Sequence, residues 1–112
     1  MSLIVVKEGR RRRYIGFIVN YSDDGIVFDK RDMIDTIRNQ SVLFFLKDFR
    51  EMGLFIIRFD GKQGIIRCKH TSKDDTITLL KSITEINNHK VKIDTVGTSG
   101  TIKSLVKKHM SD

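Results

Sequence analysis

The stretch from Leu54 to Lys69 constrains the fold of this chain more tightly than any other. Leu54-Phe55-Ile56-Ile57-Arg58-Phe59-Asp60 is rich in aromatic and β-branched residues and reads as a strand. Gly64-Ile65-Ile66-Arg67-Cys68-Lys69 has the same character. Asp60-Gly61 between them tolerates the backbone angles of a tight turn, so the two strands return on each other as a hairpin. An isolated hairpin is marginal in water, so the rest of the chain must supply further strands and a layer of helices.

The flanking segments do so. Tyr14 to Tyr21 is rich in aromatic and β-branched residues and predicts a first strand, closed by the loop Ser22-Asp23-Asp24-Gly25. Asp29 predicts an N-cap, with Asp32 at the third helical position. Met33, Ile34, Ile37, Phe44, Phe45 and Phe49 then recur near helical spacing, as one helix to Met52 or two broken near Asn39 to Ser41, with Gly53 as the stop. Ser72 with Asp75 has the form of a capping box and opens a helix through Ile77, Leu80, Ile83 and Ile86 that Asn87-Asn88 ends. Lys90 to Val96 predicts the last strand, with Val91 and Ile93 inward and Lys92 and Asp94 outward. The segment Thr95 to Lys103 reads as a strand end, a glycine-bearing turn at Gly97 and Gly100, and a helix start capped by Thr98 or Ser99.

Strand, helix, strand, strand, helix, strand and helix make an α+β fold, a ferredoxin-like or RRM-like βαββαβ sandwich with an additional C-terminal helix. At 112 residues without repeats or linkers, the expectation is a single domain over 1–112, with residues 1–9 as a loose leader. Alternation assigns Phe55, Ile57, Phe59, Ile66, Cys68, Val91 and Ile93 to the core. It assigns Leu54, Ile56, Arg58, Ile65, Arg67, Lys69, Lys92 and Asp94 to the other face. That second face either meets a ligand or lies under the terminal helix.

Charge bounds the partner. Lysine and arginine number 21 against 14 acidic residues, a net +7, which favours an anionic partner, nucleic acid first. The apolar runs Val42 to Leu46 and Leu54 to Ile57 are too short to span a bilayer, and residues 1–6 lack the pattern of a signal peptide. The lone Cys68 excludes an internal disulfide framework and fits a reducing compartment, so a cytoplasmic location is expected.

The cations form candidate phosphate contacts in three groups. Arg10, Arg11, Arg12 and Arg13 abut the first strand, Arg67, Lys69 and Lys92 lie on the second sheet face, and Lys103, Lys107 and Lys108 lie on the terminal helix. For the last group, favourable interaction with the helix dipole explains the residues equally well. A base-stacking RNA-recognition sheet carries aromatics on its central strands. Gly64 to Lys69 carries aliphatics there, so base stacking is not expected.

No catalytic or metal site is expected. Cys68 is the lone cysteine, and the sequence has no CxxC or HExxH pattern. Asp23, Asp24, Asp29, Asp32, Asp74 and Asp75 sit in turns or helix starts, where capping accounts for them, and His89 and His109 sit in polar surroundings that suggest solvation.

Three segments carry a family resemblance. Arg12-Arg13-Tyr14-Ile15-Gly16-Phe17, Gly64-Ile65-Ile66-Arg67-Cys68 and Val96-Gly97-Thr98-Ser99-Gly100-Thr101-Ile102-Lys103 resemble, in order, motifs of the archaeal and eukaryotic ribonuclease P subunits called ribonuclease P protein component 2 in archaea. The resemblance covers roughly residues 10 to 105, nearly the whole chain. It implies a non-catalytic subunit that binds ribonuclease P RNA while that RNA, with Mg²⁺, removes the 5′ leader from precursor tRNA. It implies no cofactor on this chain. It implies pairing with ribonuclease P protein component 3, and doubling of the pair into a heterotetramer that contains a homodimer of this chain. It carries the RNA role onto Arg12, Arg13, Arg67 and Lys103. Two other readings remain. A free-standing ferredoxin-like RNA-binding module shares the fold. An acylphosphatase-like enzyme needs an arginine in the loop after the first strand, and Asn20-Tyr21-Ser22-Asp23-Asp24-Gly25 has none.

Overall fold

A computed structural model describes residues 11–22, 25–45 and 51–110, with Phe44 and Phe45 described in backbone only. The expected leader at 1–9, and Arg10, Asp23, Asp24 and Phe49, lie outside the described residues.

The elements follow the order β1 (Arg12–Asn20), α1 (Lys30–Phe45), β2 (Phe55–Phe59), β3 (Gln63–Lys69), a 3₁₀ turn (His70–Ser72), α2 (Lys73–Ser82), β4 (Glu85–Ile86), β5 (His89–Lys90), β6 (Lys92–Ser99) and α3 (Ile102–Leu105), which runs on as a π-helical turn (Val106–Met110). The main sheet has the order β2-β3-β1-β6 and is antiparallel throughout. This is the expected ferredoxin-like arrangement. Met33 and Ile37 of α1 and Leu79 and Leu80 of α2 cover one sheet face, packed on Ile15, Phe17, Val19, Ile56, Ile66, Cys68 and Ile93.

Local chemistry explains the boundaries. Asp29 and Asp32 form a reciprocal cap. The Asp32 N–H donates to the Asp29 carboxylate, and the Asp29 N–H donates to that of Asp32, each at 2.9 Å. α1 is unbroken at Asn39 to Ser41. At the β2–β3 turn the Asp60 carboxylate accepts the Lys62 and Gln63 N–H groups at 2.9 and 2.8 Å, and Gly61 takes a φ of 101°. Gly64 lies between Phe17 and Phe59, whose rings stack across it at 5.9 Å. A Cβ there would stand 2.6 Å from the Arg58 carbonyl oxygen and 2.8 Å from Phe17 Cζ.

Several expectations need correction. Leu54 and Ile56 face the core and Phe55 faces out, 49% exposed, the reverse of simple alternation. Ile57 is an extra residue in the β2–β3 register, so only Phe59 returns to the core side. A second bulge inserts Val96 into β6 opposite β1. The second helix ends at Ser82, not Ile86, because Ile83 turns extended at ψ 121°. Ile83 and Ile86 still reach the core, from the connection and from the β4–β5 hairpin. Asn87 and Asn88, at φ 51° and 68°, form the turn of that hairpin rather than a helix end. Ser72 makes no side-chain cap; its carbonyl accepts the Thr76 hydroxyl at 2.6 Å. Thr101, not Thr98 or Ser99, caps the last helix, accepting the Ser104 N–H at 3.1 Å, since both earlier residues still belong to β6.

The C-terminal helix covers part of the outer face. Leu105 and Ile65 are fully buried, yet neither belongs to the principal core. Gly16 and Gly97 pair directly across β1 and β6, and the absence of side chains there admits the terminal segment. A Cβ on Gly16 would stand 3.0 Å from Met110 Sδ, and one on Gly97 would overlap the His109 ring.

Candidate nucleic-acid interface

The end of the outer face that carries Arg12 gathers the cations. Arg12 stands opposite Lys69, and Tyr14 stands opposite Arg67, which in turn stands opposite Phe55. Cross-strand partners share a face with Cβ atoms about 5 Å apart. Two rows therefore lie side by side, Arg12–Lys69 and Tyr14–Arg67–Phe55. The basic arm is anchored, because the His70 N–H donates to the Arg11 carbonyl at 3.3 Å.

Arg13 points to the other side, opposite Cys68, and its Nη1 donates to the Arg12 carbonyl at 3.0 Å. The Gly100 turn comes within 3.8 Å of Arg13 Nη1, measured from where a Cβ would sit. Lys103, exposed in the first turn of α3, thus leaves from this same end. Three predicted residues, Arg12, Arg67 and Lys69, share the outer face here, and Arg13 lies at the same end on the other side. Arg11 is exposed beside them. Lys92 pairs with Asn20 at the far end of β1, about 26 Å away at strand rise. Lys107 and Lys108 are exposed on the π-helical turn, and Arg10 lies outside the described residues.

Sequence reasoning missed one member. Phe55, assigned to the core, holds the Arg67 guanidinium over its ring at 4.9 Å, and the Lys30 ammonium lies 5.7 Å from the same centroid. Arg67 Nε is enclosed without a hydrogen-bond partner. The signal that finds Phe55 is the bulge at Ile57, which simple alternation cannot see.

The remaining candidates carry no such convergence. Burial pushes the Cys68 thiol up, which suppresses the thiolate a nucleophile needs. His89 is half-buried with its ring 6.2 Å from that of Phe28, so the expectation of simple solvation fails for it. Among the described residues no three His, Cys, Asp or Glu side chains converge, and no helix is long and apolar enough to cross a membrane.

Comparison with known proteins follows the same outline. The model of the Rpp14/Pop5 family matches residues 13–110. Ribonuclease P protein component 2 of Archaeoglobus fulgidus is 30% identical over 100 residues, covering 89% of each chain. That of Pyrococcus furiosus is 33% identical over 108 residues, covering 90% of this chain and 84% of the relative. A chain in the cryo-EM structure of yeast ribonuclease MRP shares the fold at a TM-score of 0.66 and 15% identity, over 82% of this chain and 76% of that one. With the βαββαβ sheet, its covering C-terminal helix and a family match over nearly the full length, the chain belongs to the Rpp14/Pop5 family.

Proposed function

We propose that this chain is a non-catalytic, RNA-binding protein subunit of ribonuclease P, acting in removal of the 5′ leader from precursor tRNA. The observation that carries the reading is Arg12 opposite Lys69, with Arg67 one row away and Lys103 at the same end, on a chain whose relatives are named ribonuclease P protein component 2. Clustered cations lower the repulsion between packed RNA helices and release counterions. The cleavage chemistry then belongs to the RNA subunit and its Mg²⁺, and this chain holds no cofactor of its own. Precursor tRNA is met through the assembled particle.

The partner within that particle is ribonuclease P protein component 3, and the pair doubles through a homodimer of this chain. Val42 and Leu43, 50% and 73% exposed near the end of α1, support a protein contact. The site of action is the cytoplasm.

The test is precursor-tRNA cleavage by the cognate ribonuclease P RNA with component 3 at moderate Mg²⁺, with and without this chain. Cleavage should depend on adding the chain, while the chain alone stays inactive. Cleavage indifferent to it would leave a shared fold without the shared role.

A further inference from the structure

One exposed phenylalanine needs no explanation on a protein surface. Phe55 is not isolated. It ends a cross-strand row with Arg67 and Tyr14, and all three side chains project from adjacent strands on the outer face. The Arg67 guanidinium lies over the ring at 4.9 Å and the Lys30 ammonium at 5.7 Å, yet about half of Phe55 stays open to solvent. Tyr14 and Arg67 are each partly exposed. The next row on this face, two residue pairs further toward the end of the sheet, is Arg12 opposite Lys69. Ring, guanidinium and phenol thus offer flat π surfaces, with two cations one row away. This arrangement stays partly accessible while Ile65, on the same face, is fully buried.

An RNA duplex has no use for such surfaces, because its bases are stacked on each other. An unpaired nucleotide does, since its base presents a free face and its phosphates sit within reach of neighbouring cations. We propose that Phe55, Arg67 and Tyr14 form a stacking site for an unpaired RNA base, with Arg12 and Lys69 holding the adjoining phosphates. The inference rests on the RNA-binding reading above and narrows it to single-stranded segments or extruded bases. It also reverses the expectation, drawn from the aliphatics of Gly64 to Lys69, that the sheet stacks no base. The aromatic sits on the neighbouring edge strand instead.

The experiment titrates the full chain into a short unstructured oligoribonucleotide carrying one 2-aminopurine, and into an RNA duplex of equal length. Stacking quenches the fluorophore in the single strand. Phe55→Leu should abolish the quench and weaken single-strand binding about tenfold, within what one stacked base contributes. Single-strand binding should fall more than duplex binding, and Phe55→Trp should restore both quench and affinity. Arg12→Ala with Lys69→Ala should weaken both RNAs and flatten the salt dependence by about one unit per lost phosphate contact. If Phe55→Leu binds and quenches as the parent does while the double substitution still weakens binding, the stacking site is refuted and RNA binding survives. If the parent binds neither RNA, both readings fall together. If Phe55→Leu spares RNA binding and disrupts only assembly with component 3, the row is a protein contact and the inference is overturned.

Discussion

At the scale of single residues, carboxylates hold two of the chain's corners. Asp60 accepts two backbone N–H groups, that of Gln63 first, and the bonds hold its carboxyl below the ordinary 3.8. Asp32 is lowered for the same kind of reason, chiefly by the Asp29 N–H. A carboxyl whose folded pKa lies below its unfolded one stabilises fully above the unfolded value, and loses that contribution as pH falls through the folded one. Thermal midpoints followed by circular dichroism from neutral pH into acid should therefore decline below about pH 4. Asp60→Ala should start from a lower midpoint and decline less steeply, converging on the parent in acid. Parallel curves would remove Asp60 from the acid response. Asp60-Gly61 was legible in the sequence because a turn is a local device, written in the residues that form it. Phe55 was not, because its facing depends on Ile57 slipping out of register with a strand some ten residues away.

Individual elements show where local patterns stop being sufficient. The order of the four main strands and two long helices follows from periodicity and turn residues. The end of α2 does not, because Ile77, Leu80, Ile83 and Ile86 keep a three-residue interval that a helix and an extended hairpin both bury. Asn87-Asn88 is equally ambiguous, since asparagine serves as a helix stop and as a two-residue hairpin turn. Within β3, Gly64 is required by its neighbours rather than by a turn, because the Phe17 and Phe59 rings close over it. Gly64→Ala should thus destabilise by about 1–3 kcal/mol, the usual range for overpacking, read as a lower denaturant midpoint at unchanged slope. An unchanged midpoint would mean that β2 yields freely and that the aromatic pair is not a fixed part of the core. The candidate site was half legible for the same reason. The cations were visible as letters, but only strand register brings Arg12 to Lys69 and Arg67 to Phe55.

For the whole molecule, the C-terminal helix divides the outer face into a sealed part and an open part. Removing residues 101–112 should uncover Ile65 and the Gly16–Gly97 pair, and forfeit the burial of Leu105, about 1.5–3 kcal/mol for such a side chain. The shortened chain should show a lower thermal midpoint and bind a hydrophobic dye that the full chain excludes. A midpoint equal to the parent's would reduce the helix to a carrier of Lys103, Lys107 and Lys108. The two bulges have a consequence of a different kind. Both lie in the edge strands, Ile57 in β2 and Val96 in β6. A smooth edge is a template on which another molecule's strand can grow, and a bulge twists it away and leaves a residue that no ladder can pair. Both edges of this sheet are thereby poorer templates for a copy of the chain. Edge-to-edge growth of the sheet into fibres is thus disfavoured by two single inserted residues.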